Sequence, residues 1–135
     1  MQTEKNNFDR LPDITSVEAR KRLARVITNL FDHWDIKTSE QALLLGHSPG
    51  ARATLARYRK GSPLDNSMDL TGRVGHLLGI HKSLRIIFPH DIDLAYKWVT
   101  TPNRRFDGKT PLEIMTAGYE GVLAVRRYLD FERGH

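Results

Sequence analysis

The chain has 135 residues, 39% of them hydrophobic and 27% charged, with a formal net charge of +5. That is enough for one compact domain or two small helical ones, and it excludes a disordered or low-complexity chain. The lack of cysteine excludes disulfides and thiolate chemistry, no apolar run approaches the ~20 residues of a membrane span, and the opening MQTEKNNFDR holds no apolar signal segment, so a cytoplasmic location is expected.

Residues 1–15 are expected to form a flexible, polar N-terminus around Pro12. A helix is predicted from Ser16 onward. Val17, Leu23, Val26, Ile27, Leu30, Phe31 and Trp34 recur at three- and four-residue spacings, which sets them on one helical face. Glu18 in the first turn complements the helix dipole. A second helix of about two turns is predicted from Thr38, where Thr38 and Gln41 read as a capping box. Ala42, Leu43 and Leu45 follow, and Gly46 is its stop. A third helix is predicted from Pro49, with Ser48 as its cap. On it Ala51, Leu55 and Tyr58 share one face, Arg57 and Lys60 the opposite face, and Arg52 and Arg59 a flank; Gly61, Ser62 and Pro63 end it.

A fourth helix is expected over 67–78, with Gly72, Gly75 and Gly79 either weakening it or letting another helix approach closely. A separate apolar segment is expected over 80–88, ended by Pro89, and Asp91 opens a short helix through Ile92, Ala95, Tyr96 and Val99. Pro102-Asn103 and Asp107-Gly108 are turn signals. Thr110 is placed to cap a helix with Pro111 in its first position, and Gly118 stops that helix or lets the next one cross. The last helix is predicted over 119–132, with Val122, Val125 and Leu129 inward and Arg126, Arg127 and Arg133 outside. No segment alternates as a strand would. The expected fold class is all-α, built from six to eight short helices.

Helix, short helix, tight turn and basic helix is the order of a helix-turn-helix. Residues 1–62 hold eleven Lys/Arg and seven Asp/Glu, residues 63–135 ten and nine, and the stretch 41–64 has four basic residues and no acid. Such a segment attracts phosphate backbones, although a solvated helix face carries the same charge. Arg52 and Arg57 are candidates for base edges or nearby phosphates, because guanidinium pairs bidentately with guanine. Arg59 and Lys60, near the end of the third helix, suit backbone phosphates, and Ser48 and Thr54 suit a hydrogen bond to phosphate or base. A two-fold operator would demand two recognition helices and hence a homodimer.

The stretch WVTTPNRRFDGKTPLEIMTAGYEGVLAVRRYLDFERGH combines Trp98, Pro102-Asn103, Phe106 with Gly108, Thr110-Pro111-Leu112, Gly121 and the run Val122-Leu123-Ala124-Val125. This pattern resembles the toxin-binding domain of the Xre/ParS-like antitoxins, partners of RES-type toxins. Phe106 stands where the family commonly has Leu, and Glu113 agrees with the family's Asp or Glu. Upstream, ATLARYRKG and RVGHLLGIHKSLRIIFP resemble the family's N-terminal half, with Tyr58 in place of a frequent Trp. The resemblance therefore spans about residues 16–135. It implies a helix-turn-helix domain over 16–89 and a small helical toxin-binding domain over 90–135.

RES-type toxins resemble ADP-ribosyltransferases and deplete NAD, and their antitoxins insert C-terminal residues near the substrate pocket. The resemblance thus implies an antitoxin that occludes the toxin's active site, with Arg126, Arg127, Tyr128, Arg133 and Gly134 reaching the toxin. It also implies operator binding that represses the chain's own operon. The alternative is a stand-alone transcriptional regulator with no toxin partner.

Enzyme signatures are set aside on spacing. Gly108-Lys109-Thr110 resembles the end of a phosphate-binding loop, but Asn103 stands where that loop needs glycine. The three glycines at 72, 75 and 79 do not match a dinucleotide fingerprint. His76 and His81 are five apart, and no histidine pair has the four-residue spacing of a helical metal site. No catalytic residue, metal or cofactor is expected.

Overall fold

The computed structural model describes residues 13–134, so most of the flexible N-terminus expected over 1–15 lies outside the described residues. Among the described residues every regular element is helical, as the expected all-α class requires. In chain order these are α1 (Val17–Trp34), α2 (Thr38–Leu44), α3 (Arg52–Arg59), α4 (Met68–Ile87), α5 (Ile92–Lys97), 3₁₀ turns at Trp98–Thr100 and Arg104–Phe106, α6 (Pro111–Thr116) and α7 (Tyr119–Arg133).

The Ser16 hydroxyl starts α1 by accepting from the Ala19 amide at 3.1 Å, and Asp35 ends it in the left-handed conformation. Ala24, Ile27, Phe31 and Trp34 form its buried stripe, with Leu30 beside it. Val17 and Val26 fall off that stripe and are 49% and 45% exposed, against the expectation that both would face the core. Two further expectations shift by a residue or more. The cap of α2 is one residue earlier than Thr38: the Lys37 amide donates to Glu40 Oε1 at 2.9 Å. Gln41 is instead buried, and its Nε2 donates to the Ile36 carbonyl at 3.0 Å. The third helix starts only at Arg52, after an Ala51 N-cap without a side-chain bond, because Pro49 and Gly50 are spent on the turn; Ser48 does not cap it.

The largest departure is α4. The two segments expected over 67–78 and 80–88 are one helix of 20 residues. Leu70, Val74, Leu77, Ile80 and Leu84 are all buried and keep the helical period straight through Gly79. Tertiary packing of that stripe outweighs the ~1 kcal/mol a glycine costs inside a helix.

The glycines serve a close approach. A Cβ on Gly72 would meet Tyr119 Oη at 2.5 Å, and one on Gly79 would meet the Arg126 guanidinium carbon at 2.6 Å. Further along, Ser83 Oγ donates to Asp130 Oδ1 at 3.3 Å. Each pair is 47 residues apart, so α7 runs parallel to α4 with its residues seated on the glycine face. The start of α7 also crosses α6 tightly, and a Cβ on Gly121 would overlap the Ile114 carbonyl oxygen. One buried apolar cluster extends from Ala24 through Tyr58, Leu77 and Val99 to Leu129.

Two polar clusters span the helices. Tyr96 on α5 is stacked with His33 of α1 at 4.4 Å and with His81 of α4 at 5.1 Å, both nearly parallel. His81 Nδ1 is buried and meets no hydrogen-bond partner among the described residues. Its pKa is held below the ordinary imidazole value by burial first, then by the charges of Arg85 and His33. His76 is likewise lowered, by burial and then by Arg126, with Asp130 opposing. Its Nδ1 lies 3.0 Å from Arg126 Nη1, and only the neutral ring can accept that proton.

Two outcomes follow for stability. Gly121→Ala forces backbone apart and should destabilise by about 1–3 kcal/mol, whereas Gly75→Ala, where an added Cβ meets nothing within 4 Å, should stabilise by about 0.5–1 kcal/mol; urea unfolding of both measures the contrast. Because both histidines have folded-state pKa values below their unfolded ones, the unfolded chain takes up protons first. Their stabilising effect is therefore complete above about pH 6.5 and is lost as pH falls toward their lowered values. Melting temperature against pH should fall on acidification in the wild type and less steeply in His81→Phe.

Candidate nucleic-acid and partner interfaces

α2, the turn at Gly46 and α3 follow one another in the order that the sequence leads one to expect of a helix-turn-helix. Gly46 holds φ +78, and a side chain there would also strike Arg73, whose Nε lies 2.7 Å from the position of an added Cβ. Leu55 and Tyr58 anchor α3 in the core, both essentially inaccessible to solvent. The outer face of α3 is thereby turned to solvent. Arg52, Ala53, Ala56, Arg57 and Lys60 are exposed, Thr54 is half-buried, and Ser48 is exposed in the preceding turn. The Arg57 guanidinium lies 6.0 Å from the centre of the Tyr58 ring. A shallow cleft of about 400 Å³ is lined by Thr38, Arg52, Ala53, Leu55, Ala56 and Arg59.

Arg59 differs from its neighbours. Its Nη1 is 2.7 Å from Asp32 Oδ1 of α1, and its Nη2 donates to Gln41 Oε1 of α2 at 2.8 Å. Both forks of the guanidinium are used to hold α3 against the other two helices. The role expected for it at a phosphate would require it to leave these partners. The sequence offered the signal in hindsight: a buried Gln at the start of α2 needs an acceptor and a donor, and Arg59 supplies the donor.

In the C-terminal half, Trp98, Phe106 and Tyr128 form an aromatic group. Trp98 and Tyr128 are stacked at 6.2 Å, and Phe106 meets Tyr128 edge-on at 5.3 Å. Leu112 is buried, while Trp98 and Phe106 are half-buried against the core. Thr110 caps α6 as expected, accepting from the Glu113 amide at 3.0 Å, and Glu113 completes the box by accepting from the Thr110 amide at 3.1 Å.

The five residues expected at the toxin separate into two groups. Arg127, Arg133 and Gly134 are exposed. Arg133 Nη1 also donates to Ser83 Oγ at 3.3 Å. Tyr128 is half-buried in the aromatic group. Arg126, expected outside, is only partly exposed: its guanidinium lies over Gly79, next to His76, and pairs with Asp130 at 3.7 Å. The reason is the glycine, which leaves room for a long side chain to lie flat between α4 and α7. The loop cations Lys97, Arg104, Arg105 and Lys109 are all exposed and escaped the sequence reading, although they stand within 13 residues holding one acid, Asp107. Among the described residues no group of three His, Asp or Glu could hold a metal, and no helix is long and apolar enough to cross a membrane.

Residues 83–134 match the family model of the antitoxin Xre/MbcA/ParS C-terminal toxin-binding domain. The matched stretch begins inside α4 and takes in all of α5, α6 and α7. A relative described as the uncharacterized protein y4oB, from Sinorhizobium fredii (strain NBRC 101917 / NGR234), is 39% identical over 105 residues, which is 76% of this chain and 78% of that protein.

Removing the Arg59 clamp tests its part in the fold. Arg59→Ala should lower stability by about 1–3 kcal/mol, since Gln41 Oε1 loses its charged donor, while the neighbouring Arg57→Ala should stay within about 0.5 kcal/mol of wild type. Chemical denaturation of the two variants gives the comparison.

Proposed function

The chain belongs to the Xre/ParS-like antitoxin family, and on that premise we propose that it neutralises a RES-type, NAD-depleting toxin by covering the toxin's active site, and that as a homodimer it binds operator DNA and represses its own operon. The observation that carries the first half is the match of residues 83–134 to a toxin-binding domain. The antitoxin role follows from the family; the kind of toxin and the occlusion are our reading. In it the end of α7 is the inserted element, with Arg127, Arg133 and Gly134 on its exposed part. Arg126 and Tyr128 contribute by fixing α7 against α4 and the aromatic group.

The second half is supported by the exposed basic face of α3. Arg52 and Arg57 are free of ion pairs among the described residues and suit base edges or phosphates. Lys60, at the end of the helix, suits a backbone phosphate, and Ser48 and Thr54 suit a hydrogen bond at the entrance to the groove. Arg59 supports this face from behind through Asp32 and Gln41. The net charge of +5 favours approach to a polyanion.

Two experiments separate the halves. If the gene adjoining its own encodes a toxin, co-expression of the chain should restore growth, and Arg127→Glu/Arg133→Glu should abolish the rescue while leaving the chain folded; full rescue by that variant contradicts occlusion by α7. In a mobility shift on the DNA upstream of its own operon, Arg52→Ala/Arg57→Ala should weaken binding by about 1–3 kcal/mol for each base-contacting arginine. Unchanged affinity removes α3 from the interface.

A further inference from the structure

The segment between Trp98 and α6 is a loop with no need of charge to fold, yet it is basic. Lys97, Arg104, Arg105 and Lys109 share the 13 residues 97–109 with a single acid, Asp107. All five side chains are exposed. Among the described residues none of the four cations has an ion pair, whereas Arg59, Arg73 and Arg126 each have one. Gathering four like charges around one counter-charge opposes folding rather than helping it.

The loop is also more rigid than a connection requires. The Asn103 amide donates to the Lys109 carbonyl, and the Gly108 amide donates to the Asn103 carbonyl, each at 3.0 Å. The Asn103 side chain accepts from the Arg105 amide at 2.9 Å. Asp107 and Gly108 take left-handed conformations at φ 57 and φ 82, which close the turn. Phe106 pins the middle of the loop to Trp98 and Tyr128. The ordering entropy of the backbone is thus already met in the free chain, and the cations stand on a fixed platform.

We propose that this loop, through Arg104, Arg105 and Lys109 with Lys97 at its edge, is a docking surface for an acidic face of the toxin partner and steers its approach. The proposal rests on the antitoxin reading above. The loop lies wholly within the stretch matched to a toxin-binding domain, and Tyr128 joins it to α7, the element proposed to enter the toxin. Opposite charges across such a surface act chiefly on the association rate and on its dependence on salt.

The test uses the full chain and the purified product of the gene adjoining its own, with association and dissociation rates measured over a range of NaCl concentrations. Arg104→Glu/Arg105→Glu should lower the association rate by about tenfold or more at low salt and flatten its salt dependence, with little change in dissociation. Arg22→Glu/Arg25→Glu, an equal change of charge at exposed positions of α1, should stay within about twofold of wild type. If the reversed pair lowers the melting temperature, Arg104→Gln/Arg105→Gln replaces it, with a smaller loss of rate expected. An association rate equal to wild type overturns the proposal, as does an equal loss in the α1 control. An equal loss of affinity for the upstream DNA also overturns it and assigns the loop to phosphate. A wild-type chain that does not bind the toxin product at all overturns instead the antitoxin reading on which the proposal stands.

Discussion

The seating of α7 along α4 is the constraint on which the remaining structure depends. Two side chains of α7, Tyr119 and Arg126, occupy space that only Gly72 and Gly79 leave open. That approach brings Val122, Val125 and Leu129 into the same buried cluster as Val74, Leu77 and Ile80. Burying a side chain of that size is worth about 1.5–3 kcal/mol, so the glycines exchange a small loss of helix propensity for a larger gain in packing. The rest of the C-terminal half hangs on this pair. α6 is held under the start of α7 at Gly121, and the basic loop is pinned to Tyr128 on its outer side.

α4 also reaches the turn before α3. Arg73 on α4 packs on Gly46, the turn of the helix-turn-helix, and its guanidinium lies 4.8 Å from the centre of the Tyr119 ring on α7. Asp69, one turn earlier, pairs with it at 2.8 Å. A single cation thus touches the turn that precedes α3 and the first residue of the last helix. The arginines of this chain divide accordingly. Arg59, Arg73 and Arg126 are structural pins with partners on the chain itself, while Arg52, Arg57, Arg104, Arg105 and Arg127 stand in solvent, available to another molecule.

Much of this was legible in the sequence. The helix starts at Ser16 and Asp91 and the cap at Thr110 were legible because a short polar side chain before an apolar period has few other uses. The helix-turn-helix order and the inward face of α7 also follow from local pattern. What sequence could not resolve was where tertiary contact overrides local preference. Gly79 reads as a break and is instead a seat for Arg126, because a partner 47 residues later fills the gap. Pro49 reads as the first helical residue and is instead part of the turn. Arg59 and Arg126 read as free cations, since Asp32, Gln41 and His76 are distant in sequence or on other helices. The C-terminal motif was recognisable mainly through residues that shape the fold, and the residues proposed to meet the partner carry little pattern of their own.

In the function proposed above, a toxin would meet the outer side of the C-terminal half and α3 would be left free for DNA. Hydrogen–deuterium exchange of the full chain, alone and with the product of the gene adjoining its own, distinguishes the two faces. Slowed exchange is expected over residues 103–109 and over the last turns of α7, with α3 unchanged. Protection confined to α3, or none in either segment of the C-terminal half, would contradict that function.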